Sequence, residues 1–96
     1  MDIQSVITTF KPYQPQKIIL FGSRVHGDAR ADSDWDIALI KNTKELYHDR
    51  VIAARRLLRT TVPVDVFVFT QQELQEKMVT NPLIREIVTT GKVIYG

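Results

Sequence analysis

Cysteine is absent from the chain. A disulfide framework, a thiolate zinc site and a cysteine nucleophile are therefore excluded, and a reducing compartment fits this composition. The chain also lacks any apolar run near the roughly 20 residues that a membrane-spanning helix needs. Asp2 and Gln4 stand where a secretory signal would carry basic and then apolar residues. We therefore expect a soluble, cytoplasmic protein without a membrane partner.

A large net charge is lacking too. The chain has 13 Lys and Arg against 11 Asp and Glu, a formal net charge of +2. Charge alone therefore does not indicate direct nucleic-acid binding. With 96 residues, 44% of them hydrophobic, the chain has the proportions of one small globular domain. We expect residues 1–96 to form a single domain.

What the sequence does contain is an alternation of helical and strand patterns. β-favouring apolar runs predict strands at Lys17–Phe21, Trp35–Ile40, Val64–Phe69 and Lys92–Tyr95. Helical spacing and capping signals predict helices behind Asp2, from Asn42 to about residue 59, behind Thr70, and from Pro82 to Gly91. In the second of these helices, four arginines are expected on the solvated face: Arg50, Arg55, Arg56 and Arg59. The order indicates an α+β (α/β-like) fold, a small mixed β-sheet flanked by helices.

Two carboxylates stand at the beginning of the second predicted strand. Asp34 and Asp36 are two positions apart, so their side chains lie on one face of a strand, about 7 Å apart along the backbone. Trp35 and Ile37 point the other way and supply a core face. Two such carboxylates can converge on one cation or on a pair of cations.

Asp65 interrupts the apolar strand Val64–Phe69. A buried acid there is costly unless a cation or hydrogen bonds compensate it, so we expect positive charge nearby. If this strand neighbours the one that carries Asp34 and Asp36, the three acids form an oxygen-rich site suited to Mg²⁺. Paired metal ions would activate an attacking oxygen and stabilise a leaving one in phosphoryl-type transfer.

A Gly-Ser turn follows the first strand. Gly22 lets backbone N–H groups approach an anion closely, and a helix start behind it favours negative charge. Ser23 adds a hydroxyl donor, and Gly27 permits a second sharp bend. Arg24 or His26 would supply cationic contacts to a triphosphate.

Two other motifs are excluded by the same residues. Gly22 and Gly27 have the spacing of a P-loop, but the Asp28-Ala29 pair stands where Lys and Ser or Thr are required. The aspartates from Asp32 onward imitate an EF-hand, but Ile37 occupies the position of the obligatory glycine.

At these residues the chain resembles the minimal nucleotidyltransferases of the DNA polymerase beta superfamily. Their signature is an apolar strand, Gly-Ser, a gap of about ten residues, Asp-x-Asp, and a third acid on a later strand. Gly22-Ser23, Asp34-Trp35-Asp36 and Asp65 match it in order and spacing. Ser33 and the closing Gly91-Lys92-Val93-Ile94-Tyr95-Gly96 are also similar to that family, so the resemblance spans nearly the whole chain.

The resemblance implies a polymerase-beta-type fold and a role for each site residue. Asp34 and Asp36 would hold Mg²⁺, two ions in all, and Asp65 would complete the metal site and help deprotonate an acceptor hydroxyl. Gly22 and Ser23 would grip the triphosphate of ATP or another nucleoside triphosphate. A nucleoside monophosphate, first of all AMP, would be transferred and pyrophosphate released.

The resemblance also implies a biological setting. Small members of the superfamily are often antitoxins of a HEPN-type protein, and some nucleotidylate that partner. One departure is His26, where many relatives have a second basic residue after Gly-Ser-Arg. The alternative hypothesis is a non-catalytic antitoxin that binds nucleotide and neutralises its partner by contact. A catalytic fragment of a polynucleotide or antibiotic-modifying transferase is a third reading, which the absence of a second substrate-binding domain disfavours.

Overall fold

The computed structural model describes residues 1–26 and 34–96, without the side chain of His26. Gly27, Asp32 and Ser33 lie outside the described residues. The elements in chain order are helix α1 (Ile3–Phe10), a 3₁₀ helix (Lys11–Tyr13), strand β1 (Lys17–Phe21), helix α2 (Ser23–His26), strand β2 (Trp35–Ile40), helix α3 (Tyr47–Arg55), strand β3 (Val64–Phe69), helices α4 (Gln71–Lys77) and α5 (Pro82–Thr90), and strand β4 (Lys92–Tyr95). The four strand predictions are confirmed.

The strands form one mixed sheet in the order β3-β2-β1-β4. Strand β1 pairs antiparallel with β2 and with β4, whereas β2 and β3 run parallel. A parallel pair needs a crossover connection, and α3 provides it. The expected α+β fold with a small mixed sheet flanked by helices is confirmed.

Helices cover the sheet on both faces. On one face, residues of α1 and α3 such as Phe10 and Ala54 pack against Trp35, Ile37 and Leu39. We call the other face the α4–α5 face. There Leu74 of α4 and Ile84 and Ile87 of α5 pack against side chains of β1, β2 and β3, namely Ile19, Phe21, Ala38, Ile40 and Phe69. Because successive strand residues point to opposite faces, Asp36 and Asp65 lie on the α4–α5 face.

Helix caps follow the predicted residues at three of the four long helices. The Asp2 carboxylate accepts a hydrogen bond from the Ser5 N–H, and Thr70 and Glu73 form a reciprocal capping box. Asn81 caps α5, whose first residue is Pro82. Such caps satisfy backbone donors that have no partner within the helix.

The beginning predicted for α3 is wrong. The Asn42 and Glu45 pattern resembles a capping box, but the helix begins at Tyr47, and the Thr43 hydroxyl instead accepts from the Glu45 N–H within a turn. The helix also ends at Arg55 rather than near residue 59. Asn42 therefore does not begin this helix.

The solvated position expected for Arg50 is also wrong. Its side chain is 8% exposed and its guanidinium forms an ion pair of 2.7 Å with the Glu73 carboxylate. It also donates to the carbonyl oxygens of Glu45 and Val68, at 2.8 and 3.4 Å. Arg55 donates to the Val64 carbonyl at 2.9 Å. Two arginines of α3 thus cover carbonyl groups along the outer edge of β3.

No helix in the described part of the chain is long and apolar enough to cross a membrane.

Candidate active site

Asp36 and Asp65 occupy equivalent positions in neighbouring strands. Each is the second residue of its strand, and the two are Cα partners in the parallel pairing of β2 with β3. Their side chains therefore leave the same face of the sheet side by side. The condition for the predicted three-acid site, that the strand of Asp65 neighbours the strand of Asp36, is met.

Gly22 lies directly against the Asp36 carboxylate. Strand β1 ends at Phe21, the Cα partner of Asp36, and Gly22 follows with a φ of 77°. A Cβ atom built on Gly22 would overlap Oδ2 of Asp36. Both the left-handed backbone and the close approach of the carboxylate therefore require glycine at this position.

The Asp36 carboxyl is half-buried, and its surroundings oppose ionisation. Burial, followed by the negative charges of Asp65, Asp34 and Glu86 and a hydrogen bond with the Asp65 side chain, raises the pKa of Asp36 to about 6. Like charges close together favour retention of a proton by one of them. A divalent cation would relieve the same repulsion.

Asp65 is not buried, contrary to expectation. Its side chain is exposed, because β3 is an outer strand of the sheet and Asp65 stands near its beginning. Asp36, on the inner strand β2, is the more buried acid. The expected burial of Asp65 is therefore wrong, and desolvation acts on Asp36 instead. Positive charge near Asp65 stays a prediction.

Asp34 immediately precedes β2 and is exposed. Its negative charge reaches Asp36 and contributes to the raised pKa of that carboxyl. The i and i+2 pair thus lies at one end of the strand as predicted.

Arg24 and Ser23 belong to α2, directly behind the glycine turn. The Arg24 guanidinium carbon lies 4.5 Å from the centre of the Trp35 ring, a cation–π contact. Trp35 packs with the α1 and α3 side of the sheet, opposite to Asp36. Ser23 is half-buried at the first position of α2. Phosphate contacts by Gly22, Ser23 and Arg24 stay predictions.

Glu86 is an acid near the site that the sequence analysis missed. It is half-buried on α5 and its charge acts on Asp36. The neighbouring Ile87 is buried on the α4–α5 face, and Leu83 packs there too. Glu86 stands within the apolar stripe of α5, and this position indicates that it is close to the sheet. The stripe does not show which strand residues α5 packs against.

The donor chemistry of this cluster fits Mg²⁺. Asp34, Asp36 and Asp65 offer only carboxylate oxygens, which hard divalent cations prefer. Within residues 1–26 and 34–96, however, no three metal-binding side chains are already close enough to form a ready site. Carboxylates that repel one another are not expected to assemble fully without a cation.

Comparison with solved structures shows the same fold elsewhere. One match is a candidate nucleotidyltransferase from Sulfolobus solfataricus, with a TM-score of 0.65, 21% identity, and coverage of 95% of this chain and 73% of the other. Another is a toxin–antitoxin structure with AMP-PNP, with a TM-score of 0.65, 22% identity, and coverage of 100% and 74%. No curated protein sequence matches the chain significantly.

Comparison with protein families gives a match over almost the whole chain. The profile described as polymerase beta, nucleotidyltransferase matches residues 4–96. These residues include the glycine turn and the acids on β2 and β3. The chain therefore belongs to the polymerase beta nucleotidyltransferase family.

Proposed function

We propose that this protein is a Mg²⁺-dependent nucleotidyltransferase that transfers a nucleoside monophosphate, AMP from ATP in the first instance, to a hydroxyl group of a partner protein. The observation that supports it best is the side-by-side position of Asp36 and Asp65 beside Gly22. Family membership supports nucleotidyl transfer as the reaction class.

Each acid has a distinct task in this proposal. Asp34 and Asp36 would hold Mg²⁺, which when bound supplies positive charge to the phosphate groups and lowers the barrier to displacement. Asp65 is exposed, so it can reach an acceptor hydroxyl and take its proton. The acceptor oxygen forms a bond to the α-phosphorus, the bond from that phosphorus to the bridging oxygen breaks, and pyrophosphate leaves.

The glycine turn would hold the triphosphate. Gly22 places backbone next to Asp36 with no side chain between them, so a phosphate can approach both the turn and the acids. Ser23 would donate its hydroxyl to a phosphate oxygen. Arg24 follows in the same helix and would contribute its charge from the Trp35 side.

The biological role that we propose is antitoxin of a HEPN-type toxin, with the toxin as acceptor. The similarity to a toxin–antitoxin structure with AMP-PNP supports this role and the choice of an adenine nucleotide. A cytoplasmic location is part of the same proposal.

A label-transfer assay tests the proposed reaction. The chain, a HEPN-type protein encoded beside it and α-labelled ATP are incubated with Mg²⁺, and labelled protein is counted. We expect transfer that Asp34→Asn or Asp36→Asn abolishes, and that Asp49→Asn, at an exposed acid of α3, leaves intact. Unchanged transfer in the Asp36→Asn variant would contradict the site.

A non-catalytic antitoxin is the second candidate function. The similarity to a toxin–antitoxin structure supports it as well, since neutralisation by contact needs no transfer. If the triple variant Asp34→Asn, Asp36→Asn, Asp65→Asn folds and still neutralises the toxin fully, contact and not transfer is the mechanism.

A further inference from the structure

The outer edge of β4 is open in the described part of the chain. Strand β4 ends the sheet order β3-β2-β1-β4 and pairs with β1 alone among the described residues. Val93 of this strand is 49% exposed. An edge strand presents unpaired backbone N–H and C=O groups that can pair with another extended chain.

An apolar cavity of about 210 Å³ flanks this edge on the α4–α5 face. Its walls come from α4, α5, β1 and β4, with Leu74, Met78, Val88 and Val93 among them. An engineered cavity of about 150 Å³ holds benzene, whereas pockets for drug-sized ligands begin near 300 Å³. The cavity therefore has room for one large apolar side chain and is smaller than the usual pocket for a drug-sized ligand.

A cleft with both polar and apolar lining residues flanks the same edge on the opposite face. It is lined by Gln4, Thr8 and Lys11 from the α1 region and by Tyr95 from β4. The Lys11 ammonium lies 5.8 Å from the centre of the Tyr95 ring. The cleft therefore offers a cation and hydrogen-bonding groups to an incoming side chain.

The register of β4 assigns one residue to each of these spaces. Val93 is the partner of Ile19 and Tyr95 is the partner of Ile18, with a register shift between the two pairs. Paired residues share a face of the sheet, so Val93 borders the cavity and Tyr95 borders the cleft. A strand added beyond β4 would place alternate side chains in the cavity and in the cleft.

Charge indicates the composition of that strand. Among the described residues, the charged residue that lines the cavity is Lys17 and the charged residue that lines the cleft is Lys11. Strand β4 itself carries Lys92. All three lysines are exposed. Lys92 lies on the same face as the cleft, because its partner Leu20 packs with the α1 and α3 side. A second copy of β4, added antiparallel, would bring its own Lys92 to the face that already carries Lys11 and Lys92, and like charges across a strand pair are destabilising. An acidic strand would be attracted.

We propose that the β4 edge binds an extended segment of a partner protein in which apolar and acidic residues alternate, by adding it to the sheet. An apolar side chain of the segment fills the cavity beside Val93 and an acidic one enters the cleft beside Lys11. Strand addition of this kind takes affinity from backbone hydrogen bonds and specificity from alternate side-chain pockets. The inference does not depend on nucleotidyl transfer, since β1 separates β4 from the strand of Asp36.

The test titrates the ¹⁵N-labelled full chain with a synthetic peptide of alternating Glu and Leu or Phe, capped at both ends. We expect saturable binding, with amide shifts and slowed hydrogen exchange at residues 92–95. A peptide with Lys in place of Glu should not bind. A peptide N-methylated at alternate residues, which removes backbone donors, should bind at least about tenfold more weakly.

Variants locate the binding surface. Val93→Asp should weaken binding of the Glu peptide at least about tenfold, and Lys11→Glu severalfold. Val79→Asp, the same change at a 76% exposed valine that does not line the cavity, should bind as the unchanged chain does. Asp36→Asn should also leave binding unchanged, so that failure of the transfer reaction and failure of this inference are distinguishable. Thermal unfolding checks that each variant is folded, and Lys11→Glu remains informative if Val93→Asp is not.

Three results would overturn the inference. The first is no saturable binding of the Glu peptide, and the second is binding that Val93→Asp and Lys11→Glu leave unchanged. The third is self-association of the free chain that Val93→Asp abolishes, which would make a second copy the occupant of the edge.

Discussion

The Asp36 carboxylate occupies the space that a side chain at Gly22 would need. The two residues are separated by 14 positions in the sequence and meet because Phe21 and Asp36 are partners in the β1–β2 pairing. The position of the carboxylate and the shape of the turn are therefore mutually dependent.

Gly22→Ala is expected to reduce both stability and transfer. The left-handed φ costs about 1 kcal/mol for alanine, and the new Cβ would displace the Asp36 carboxylate. We expect a lower Tm and loss of most label transfer to the partner. Gly96→Ala is the matched control, since Gly96 also has a positive φ but contacts Gln16 rather than the acids. It should lose stability and keep transfer per folded molecule, and equal loss of transfer in both variants would contradict the role of Gly22.

Asp36→Asn is expected to stabilise the chain at neutral pH. The folded-state pKa of Asp36 is about 6, above its usual value of 3.8, so the folded state holds more protons than the unfolded state between these values. Stability from this group therefore falls as pH rises from about 4 to about 6 and stays low above it. Asparagine cannot ionise, so the variant lacks the unfavourable free energy of ionising Asp36 in the folded state. After solvent screening this free energy is about 1 kcal/mol, which corresponds to a Tm higher by several degrees.

The measurement is Tm against pH from 4 to 8 for the unchanged chain, Asp36→Asn and Asp49→Asn. The advantage of Asp36→Asn should grow between pH 4 and 6 and then level off, while Asp49→Asn tracks the unchanged chain. A constant difference between Asp36→Asn and the unchanged chain would show that Asp36 does not titrate in this range.

Mg²⁺ is expected to raise the Tm of the unchanged chain, because an ion that binds only the folded state stabilises it by mass action. The proton on Asp36 must leave before Mg²⁺ binds, so less Mg²⁺ should be needed at pH 7.5 than at pH 5.5. Asp36→Asn should abolish the Mg²⁺-dependent rise in Tm. An equal Mg²⁺-dependent rise in the Tm of Asp36→Asn would show that Mg²⁺ binds at a site without Asp36.

Arg50→Ala is expected to destabilise the chain by roughly 2 to 3 kcal/mol, because Glu73 and the Val68 carbonyl lose their partner. Arg50→Lys keeps the charge but not the several contacts of a guanidinium, and should lose less. Arg56→Ala is the control, since Arg56 is exposed and directly follows the same helix. Urea unfolding of the three variants gives the comparison, and an effect of Arg50→Ala no larger than that of Arg56→Ala would contradict it.

Glu73 adds a pH signature to that comparison. Burial opposes its ionisation, but hydrogen bonds from Arg50 and from the Thr70 N–H outweigh burial and lower the pKa of Glu73. The stabilisation is therefore present above the usual pKa of 4.5 and is lost as pH falls below it. Arg50→Ala should cost less stability at low pH than at pH 7.

The strands and the alignment of the acids could be predicted because strand periodicity is local. A run such as Val64–Phe69 carries its own signal, and a residue two positions from Asp36 must share its face. The sequence could not predict which of Asp36 and Asp65 is the more buried, because burial depends on whether a strand is inner or outer in the sheet. The sequence therefore predicted desolvation of Asp65, whereas Asp65 is exposed and the half-buried Asp36 is the more buried of the two.

The remaining differences also come from contacts between distant segments. Arg50 is buried because α4 brings Glu73 against α3, and Glu86 reaches Asp36 because α5 lies over the sheet. Neither pair has a spacing that a helix or strand pattern reveals. The false capping pattern at Asn42 shows the opposite case, in which a local signal was present and the chain used a turn instead.

Arg50 and Arg55 donate hydrogen bonds to carbonyl groups of β3. The two edges of the sheet therefore differ in how readily they accept another strand. A strand added beside β3 would have to displace these two arginines from the Val64 and Val68 carbonyls, so of the two sheet edges the β3 edge is the less favourable for strand addition. This difference between the two edges works against open-ended addition of one sheet to another, as in a fibre.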